Sequence, residues 1–511
     1  MSTKFKLLLL LNAVNLISSA KILMVFPTPA PSHYFLGKSL AKGLANAGHQ
    51  ITMVNAFEEK SESFQAIRLN GIETAIMNAN LSSWQELPGR GVLAIELQLN
   101  TIGRILVDYT MTHPKFQKLL RSNEKFDLVI SEQFLNEGLF ILGCHFKTPL
   151  ISFSTMAATL WTNEIVGNPY PFSYIPDFST GYSDRMSLWE RVRNTMVSLT
   201  RVLVRYYKCL PTQKELVKKH FPQCYSQYEE NLYNVSLVLL NSHESVNYPV
   251  PTVPGMVQIG GFHVQPVQKL PDELQRFMDE AEEGVVYFSL GTNVVSSAIS
   301  PEIKGAIMRA LGRLRQKVMM KWDEDSVEGK PDNVMIRKFF PQQDVLAHPN
   351  LKLFVTHGGL LSNFESVYNS VPVLVLPVFG DQKFNAAKIQ NDGYGLFILF
   401  KDLTEQNFYE AMEKLLNDTK YRDNVKTRSN LMRDVPIKPM DLAVYWVEYV
   451  IKHKGAPHLR IAGLDLTWYQ YYLLDVIFLI TSVFFLVLLF IYFLVKLLLN
   501  VCVKNNKYKT A

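Results

Sequence analysis

Short apolar runs alternate with segments of helical periodicity along most of the chain. The run KILMVFP (21–27) is followed by a helical pattern over residues 33–49 and then by QITMVNA (50–56). Strand, helix and strand with short connections indicate a parallel βαβ unit. The runs FDLVIS (126–131) and TPLISFS (148–154) repeat the pattern with a helical segment between them. The first half of the chain is therefore predicted to form one doubly wound domain.

The second half of the chain restarts this pattern after a proline-rich segment. Residues 246–261 (VNYPVPTVPGMVQIGG) are predicted to be extended, because proline disfavours helix. Strand-like runs follow, separated by segments of helical length: GVVYFSLGT, KVMMKW, VMIRKFF, LKLFVTHGG and VPVLVLPVFGD. The predicted fold class is α/β, with Rossmann-like domains at residues 21–245 and 246–438 that face each other across a cleft.

Both ends of the chain carry membrane signals. Residues 1–20 predict a secretory signal peptide, because lysines precede the apolar stretch Leu7–Ile17 and small residues follow it. Residues 474–495 predict one transmembrane helix, with no charge between Val476 and Val495. The basic tail 496–511 would then be cytosolic, and the body would lie in a lumen or outside the cell (single-pass type I).

Sequons and cysteines add detail to the predicted luminal body. Only three cysteines precede the apolar helix, so a disulfide scaffold is excluded. One bridge between Cys209 and Cys224 fits the sequence and leaves Cys144 over. The predicted glycosylation sites are Asn80, Asn234 and Asn417.

The net charge of +6 is mild and partly local. Nine Lys or Arg lie between Gly181 and His220, against three acidic residues. No basic stripe with a reading motif is found, so no nucleic-acid partner is predicted. Residues 187–208 mix arginine with apolar residues at helical spacing. They form either a luminal helix against the membrane surface or an ordinary surface helix with a core-facing stripe.

Two polar residues follow strands of the first domain. His33 begins the helix after the first strand and Glu132 ends a later strand, so both belong to one carboxyl edge of a sheet. A helix N-terminus favours neutral imidazole, and a carboxylate on the other ring nitrogen would fix its tautomer. The alternative is a helix-capping His33 and an unrelated surface Glu132.

A second set of polar residues lies at strand ends of the second domain. His357-Gly358-Gly359 opens a helix whose free N–H groups suit a phosphate, and Ser362 adds a hydroxyl. Glu365, about two turns further on, can accept hydrogen bonds from ribose hydroxyls. Asp381 and Gln382, at the next strand end, can hold sugar hydroxyls. Together these positions predict a site for a nucleotide diphosphate with a sugar attached.

The stretch FVTHGGLLSNFESVYNSVPVLVLPVFGDQ (354–382) resembles the donor-binding signature of the UDP-glycosyltransferases. The match runs from His357-Gly358-Gly359 through Glu365, Pro372 and Pro377 to Asp381-Gln382. FPTPAPSHYF, LLNSHESVNYPVPTVPGMVQIGG and HLRIAGLDLTWYQYYLLDV resemble other segments of the family, so the similarity covers almost the whole chain. The ensemble is similar to the membrane-bound animal enzymes and, in HGGLLS and GDQ, to their insect branch.

The resemblance implies a GT-B architecture, in which the first domain binds the acceptor and the second binds the UDP-sugar. Residues 439–473 would return to the first domain and lead to the membrane. It also implies an inverting transfer, in which His33 deprotonates an acceptor hydroxyl and Glu132 stands where vertebrate relatives have Asp. The donor-binding residues that it implies are Ser289, Gly291, Thr292, Phe339, Gln342, His357, Gly359, Ser362, Glu365, Asp381 and Gln382.

The chain departs from the family pattern at two donor positions. Phe339 stands where the family has Trp, which leaves less surface to stack on uracil, and Leu361 stands where Asn is frequent. The triplet Asp323-Glu324-Asp325 matches the metal-binding DxD of glycosyltransferases with a different fold. It precedes a polar loop, and the phosphate role is filled elsewhere, so a solvated loop is predicted. No metal and no cofactor is expected beside the co-substrate UDP-sugar.

Lys507 and Lys509 resemble a dilysine signal for retrieval to the endoplasmic reticulum. The predicted protein is therefore anchored in that membrane and transfers a hexose to small lipophilic acceptors in the lumen. Glucose is favoured by the insect resemblance, with UDP-glucuronate as the alternative donor. A non-catalytic small-molecule binding protein of the same fold is the alternative function, motivated by Glu132 and Leu361. The sequence is compatible with a homo-oligomer or with a hetero-oligomer formed with another membrane protein. It does not identify the acceptor.

Overall fold

Two parallel β-sheets organise the chain in the computed structural model, which describes residues 19–79, 91–292, 296, 299–324 and 327–509, with side chains up to residue 501. The first sheet has seven strands in the order β3-β2-β1-β4-β5-β6-β7. These strands are β1 Lys21–Phe26, β2 Gln50–Asn55, β3 Gln65–Arg68, β4 Leu128–Glu132, β5 Leu150–Ser154, β6 Leu237–Leu240 and β7 Met256–Gln258.

The second sheet has six strands in the order β10-β9-β8-β11-β12-β13. All of its pairings are parallel, as they are in the first sheet. Its strands are β8 Val285–Ser289, β9 Lys317–Lys321, β10 Val334–Arg337, β11 Leu351–Thr356, β12 Val373–Val375 and β13 Gly395–Phe397.

Helices connect the strands. Those of the first sheet's region are α1 Pro31–Asn46, α2 Ile72–Met77, α3 Val92–Thr112, α4 Pro114–Leu120, α5 Leu142–Phe146, α6 Leu160–Glu164, α7 Leu188–Val204, α8 Leu210–His220 and α9 Tyr228–Tyr233. Those that follow are α10 Asp272–Asp279, α11 Pro301–Gly312, α12 Gln342–Leu346, α13 Leu360–Tyr368, α14 Gln382–Asn391, α15 Glu405–Asn417, α16 Thr419–Arg433, α17 Pro439–Lys452, α18 Trp468–Tyr471 and α19 Leu474–Lys509.

Each sheet is covered by apolar side chains on both faces. Along β1, Leu23 and Val25 belong to one core cluster, while Met24 and Phe26 belong to the cluster on the opposite face. This division follows from the two-residue period of a strand. Continuous apolar runs such as KILMVF are therefore buried on both sides, which is the pattern expected of parallel sheets.

The helix α17 packs against α1 on the first sheet. Ala443, Val447 and Val450 are fully buried in the cluster that also holds Leu40 and Leu44 of α1. Close approach depends on Gly43, because a Cβ at this position would lie 2.1 Å from Sδ of Met440. The chain thus passes from the second sheet back to the first before it reaches its last segment.

Residues 460–511 form a separate compact unit. Its main element is α19, whose 28-residue stretch Leu474–Val501 has a mean hydropathy of 2.9 and no buried part. By length and composition this is the helix in the described part of the chain that could cross a membrane. It fits the predicted anchor. The predicted signal peptide falls outside the described residues, as do the side chains of Lys507 and Lys509.

The predicted cysteine pairing is wrong. The disulfide joins Cys144 to Cys224, while Cys209 is a free thiol. Cys144 lies in α5, opposite the 3-10 turn Pro222–Gln227 that carries Cys224. Cys209 instead follows α7 and lines a small cavity with Arg201 and Arg205. The intervening helix α8 separates Cys209 from Cys224, so proximity in sequence did not identify the partner.

Candidate functional site

The carboxyl edge of the first sheet holds a histidine–carboxylate pair. Glu132 is the last residue of β4 and is fully buried, while His33 lies in the first turn of α1. The Nδ1 atom of His33 is hydrogen-bonded to Oε1 of Glu132. The other carboxylate oxygen accepts a bond from the backbone N–H of Thr28 at 3.3 Å. The structure thus brings together two residues that lie 99 positions apart.

The pair has a defined orientation. The ring of His33 makes an edge contact with Phe134 at a centroid distance of 4.8 Å, and Oγ1 of Thr155 lies 3.4 Å from Nδ1. A carboxylate at Nδ1 stabilises the tautomer whose proton is on that nitrogen. Nε2 then carries the lone pair and can accept a proton. The side chain of His33 is 14% exposed, so a substrate can reach it.

At the carboxyl edge of the second sheet, His357 directly follows β11 and is held between two glycines. A Cβ on Gly291 would lie 2.6 Å from Cε1 of His357, and a Cβ on Gly359 would lie 2.5 Å from Nε2. Burial, together with the nearby Lys321 ammonium, lowers the pKa of His357 to about 4. The imidazole is therefore neutral at pH 7 and can donate only one ring N–H.

Lys321 is a site residue that the sequence-based prediction missed. It ends β9, and its Nζ donates a hydrogen bond to the carbonyl oxygen of Gly291 at 2.8 Å. Burial lowers the pKa of this lysine, which lies beside His357. The signal that could have identified it is its position at the end of the apolar run KVMMK, because the other candidate residues also lie at the ends of strands. Lys321 brings a positive charge to the edge of the sheet predicted to hold phosphates.

Three further predicted residues lie near this edge. Ser289 ends β8 and is buried, and its Oγ accepts a bond from the N–H of Gly291 at 3.4 Å. Thr292 is exposed. Ser362 lies in the first turn of α13, where helix N–H groups point outward. Nε2 of Gln342 donates to Oγ of Ser362 at 3.1 Å, which connects this edge to the next group of residues.

Glu365 is buried between two glutamine side chains. Its carboxylate accepts hydrogen bonds from Nε2 of Gln342 at 2.6 Å and from Nε2 of Gln343 at 2.9 Å. Burial raises the pKa of Glu365 to about 7, despite these two bonds. Gln343 had not been predicted as a site residue, although it adjoins Gln342 in the sequence. Because burial disfavours the charged form, a polar ligand that donates to this carboxylate would be bound strongly.

Phe339 and its neighbour Phe340 have opposite environments. Phe340 is buried against Tyr287, whereas Phe339 is 74% exposed just before α12. An exposed aromatic ring three residues before Gln342 is available to stack on a flat ligand.

Asp381 and Gln382 lie at the start of α14 and are the last two residues predicted for the candidate site. Oδ2 of Asp381 accepts a bond from Asn385 at 2.9 Å, and burial raises the pKa of Asp381, although the bond from Asn385 partly offsets this rise. The side-chain oxygen Oε1 of Gln382 accepts bonds from the backbone N–H groups of Val378 and Phe379. Gln382 therefore shapes this loop through its oxygen, and its amide nitrogen is the group that could meet a hydroxyl.

The two described acidic residues of the DxD triplet are held by protein donors. Asp323 accepts a bond from the N–H of Ser296 at 3.2 Å, and Glu324 accepts bonds from Lys304 and Trp322. Asp325 falls outside the described residues. Within the described ranges, no group of three His, Cys, Asp or Glu side chains is arranged to bind a metal.

Two of the predicted glycosylation sites are exposed. Asn234 follows α9, and Asn417 ends α15, where its amide donates to Glu413 at 3.1 Å. Asn80 falls outside the described residues. Attachment of a glycan to any of them stays a prediction.

Comparison with known proteins identifies the family. Over residues 22–509 the chain matches the family described as UDP-glucoronosyl and UDP-glucosyl transferase. It is 34% identical over 514 residues to UDP-glycosyltransferase UGT5 of Dactylopius coccus, which covers 97% of this chain and 95% of that protein. It is 30% identical over 479 residues to 2-hydroxyacylsphingosine 1-beta-galactosyltransferase of Homo sapiens, which covers 92% of this chain and 87% of that protein.

A solved structure shares the fold. A UDP-glucosyltransferase from Polygonum tinctorium, in complex with 3,4-dichloroaniline, aligns with a TM-score of 0.57 at 15% identity, covering 85% of this chain and 99% of that one. The predicted pair of Rossmann-like domains, the GT-B architecture, is thereby confirmed. With the match over nearly its whole length, the chain belongs to the UDP-glucoronosyl and UDP-glucosyl transferase family and is a UDP-glycosyltransferase.

Proposed function

We propose that this UDP-glycosyltransferase transfers a hexose, glucose in the first instance, from UDP to a hydroxyl group of a small lipophilic acceptor. The observation that supports the proposal most directly is the hydrogen bond between Nδ1 of His33 and Glu132. It selects the imidazole tautomer that has its proton on Nδ1 and its lone pair on Nε2, which is the tautomer required of a general base. The acceptor is assigned to residues 21–245 and the UDP-sugar to residues 246–438.

In the proposed reaction, Nε2 of His33 takes the proton of the acceptor hydroxyl. The acceptor oxygen attacks C1 of the sugar from the face opposite the leaving group, so the configuration at C1 is inverted. The bond between C1 and the phosphate oxygen breaks, and UDP leaves with the electron pair. Glu132 stabilises the imidazolium that forms, as carboxylates do in comparable pairs. Asp381, which lies at the start of α14, would hold a sugar hydroxyl.

The leaving diphosphate would be stabilised at the start of α13. Lys321 supplies a positive charge, neutral His357 supplies one ring N–H, and Ser362 and Thr292 supply hydroxyls. Preorganised donors of this kind stabilise charge in the transition state without reorganisation. Glu365 would accept bonds from the ribose hydroxyls, and Phe339 would stack on the uracil ring.

The proposed location is the endoplasmic reticulum membrane, with both sheets in the lumen. The disulfide between Cys144 and Cys224 supports an oxidising compartment, because such bridges are rare in the cytosol. The exposure of Asn234 and Asn417 supports access to the glycosylation machinery. The apolar stretch Leu474–Val501 supports anchoring by one helix.

The test is UDP release by microsomes that contain the full chain, with phenols and flavonoids as acceptors and either UDP-glucose or UDP-glucuronate as donor. Acceptor-dependent release with UDP-glucose is expected, and release with UDP-glucuronate alone would replace the sugar in the proposal. The variant His33→Ala should lose about 10³-fold or more of the turnover while it still binds UDP. A variant that keeps its turnover would rule out the general-base role. Silence of the wild type with both donors, alongside UDP binding, would favour a binding protein.

A further inference from the structure

The helix α7 (Leu188–Val204) is inverted relative to an ordinary surface helix. Its buried side is mostly polar or charged, with Asn194, Ser198 and Arg201 beside the two small apolar residues Val197 and Val204. Its outward residues are large and apolar, with exposed fractions of 78% for Trp189 and 62% for Met196. A surface helix of a soluble domain shows the opposite arrangement, with apolar residues inside and charged residues outside. The structure thus shows that the large apolar residues of this helix face outward and that only Val197 and Val204 face the core.

The outward residues form one continuous face, here called the apolar face of α7. Its members recur every three or four positions, the spacing of one side of a helix. Two exposed tyrosines extend it just beyond the C-terminus of α7. The apolar face consists of Leu188, Trp189, Val192, Met196, Leu199 and Leu203, extended by Tyr206 and Tyr207. Contiguous exposed apolar surface of this kind marks a contact with another apolar phase.

Ion pairs on the inner side fix this orientation. Arg201 pairs with Asp177 at 2.6 Å and also with Glu96. Just beyond α7, Arg205 pairs with Glu137 at 2.7 Å and also with Glu164. Rotation of the helix to hide its apolar face would separate these buried charges, which is strongly unfavourable. The apolar face is therefore held outward by the fold.

The charges around the apolar face are positive. Arg191 and Arg193 are exposed and flank the stripe on opposite sides, and exposed Lys208 follows α7. The acidic residue between positions 188 and 208 is Glu190. Its carboxylate is engaged at the helix N-terminus, where it accepts a bond from the N–H of Ser187 at 2.7 Å. A basic rim around an apolar centre suits a surface with an apolar interior and negatively charged headgroups.

We propose that the apolar face of α7 binds the surface of a lipid bilayer that contains acidic phospholipids, as a membrane contact separate from the C-terminal helix. Trp189, Tyr206 and Tyr207 are of the residue types that favour the headgroup region. The same chain carries the apolar helix Leu474–Val501, which is long enough to cross a bilayer, so a lipid surface is a partner that the chain itself indicates. A second copy of α7 is a less suitable partner, because Arg191 and Arg193 of the two copies would meet. The proposal goes beyond glycosyl transfer and does not depend on the donor or the acceptor.

The experiment uses the full chain reconstituted in lipid vesicles, with Cys209 and Cys502 replaced by serine. A single cysteine is introduced by Leu203→Cys on the apolar face and labelled with an environment-sensitive dye. The matched control is Leu431→Cys on α16, because Leu431 is 58% exposed and Leu203 is 55% exposed. UDP binding by each labelled variant shows that the second sheet and its site remain folded.

Brominated lipid in the bilayer should quench the dye at position 203 about threefold or more relative to position 431, and iodide in the water should quench it less. The effect should be larger with phosphatidylserine than with phosphatidylcholine alone. The double variant Arg191→Gln/Arg193→Gln should remove this dependence on lipid charge. Equal quenching at the two positions would overturn the proposal. Protection from iodide without quenching by brominated lipid would also overturn it, because another protein surface would then cover the face.

Discussion

The carboxyl edges of the two sheets differ in how their polar residues are assembled. At the first edge, one pair formed by His33 and Glu132 is built from two elements that lie far apart in sequence. At the second edge, the residues from His357 to Gln382 come from one stretch, supported by Lys321 and the two glutamines that hold Glu365. In the proposed reaction the first edge performs the proton transfer and the second binds the donor. Loss at the first edge should therefore abolish turnover, whereas loss at the second should weaken binding by degrees.

After the loss of His33 itself, the largest effect is expected from Glu132→Gln, which keeps the shape of the side chain and removes its charge. The turnover number should fall about 10²-fold, because the imidazolium of His33 loses its stabilising partner, while the Kd for UDP stays unchanged. Steady-state kinetics and calorimetric titration with UDP measure the two quantities. Glu132→Asp is the control, since it keeps the negative charge but places the carboxylate one methylene further from His33. Equal turnover of Glu132→Gln and the wild type would show that the first edge is not the one that controls proton transfer.

A smaller effect is expected from Gly359→Ala, which places a Cβ against the ring of His357. Displacement of this imidazole should raise the Kd for UDP by about tenfold to a hundredfold. Gly91→Ala is a matched control, because both glycines precede a helix with similar backbone angles (φ −62° and −66°). A Cβ on Gly91 would meet no atom of the described residues within 4 Å. Equal UDP affinity in the two variants would show that the position of His357 does not matter for the donor.

Next in size is Phe339→Ala, which removes the exposed ring proposed to stack on uracil. The Kd for UDP should rise about tenfold, because stacking of a base on an aromatic side chain contributes about 1–3 kcal/mol. The midpoint of thermal unfolding should change little, since the side chain is 74% exposed. Tyr445→Ala, at a half-exposed tyrosine of α17, serves as the control for loss of a surface ring. Unchanged UDP binding in Phe339→Ala would exclude this residue from the donor site.

The smallest effect is expected from Glu365→Gln, and it should depend on pH. The KM of the wild type for UDP-sugar should fall as pH rises through about 7, because the ionised carboxylate accepts ribose bonds better. The variant should show no such step and should bind a few times more weakly above pH 7.

Stability gives an independent check on the same residue. Because folding raises the pKa of Glu365 above 4.5, its contribution to stability is present below about pH 4.5 and is lost as pH rises through about 7. The free energy of unfolding of the ligand-free Glu365→Gln variant, measured as a function of pH, should not show this loss. A pH dependence identical to that of the wild type would show that Glu365 does not titrate in this range.

Much of the fold follows from the sequence, because parallel strands that are buried on both faces leave continuous apolar runs between helical segments. KILMVFP and LKLFVTHGG are of this type, and their ends also indicate where ligands bind. The site could be predicted where its residues lie in one stretch. Lys321 and Gln343 were missed, because the position of Lys321 at a strand end was its one signal and a glutamine beside another glutamine carries none of its own. Only the folded structure shows that they meet Gly291 and Glu365.

Two features of the first domain could not be predicted for a different physical reason. Helical spacing in α7 shows that apolar residues share one side, but it does not show whether that side faces the core. The orientation is set by partners of Arg201 that are distant in sequence, namely Glu96 and Asp177. The partner of Cys224 is likewise determined by the packing of α5 against a distant turn. Long-range contacts of this kind have no local pattern.

The disulfide has a practical consequence for anyone who prepares the protein. It joins positions 80 residues apart, and the loop that it closes contains β5, α6, α7 and α8. Closing a loop of that length stabilises the native state by about 4.5 kcal/mol in the chain-entropy description. The second sheet lies entirely outside the loop. Expression in a reducing bacterial cytosol, or purification with a thiol reductant, should therefore yield protein whose first domain is partly unfolded. Such protein should still bind to a UDP affinity resin through its second domain. Binding to the resin is therefore a poor criterion of an active preparation.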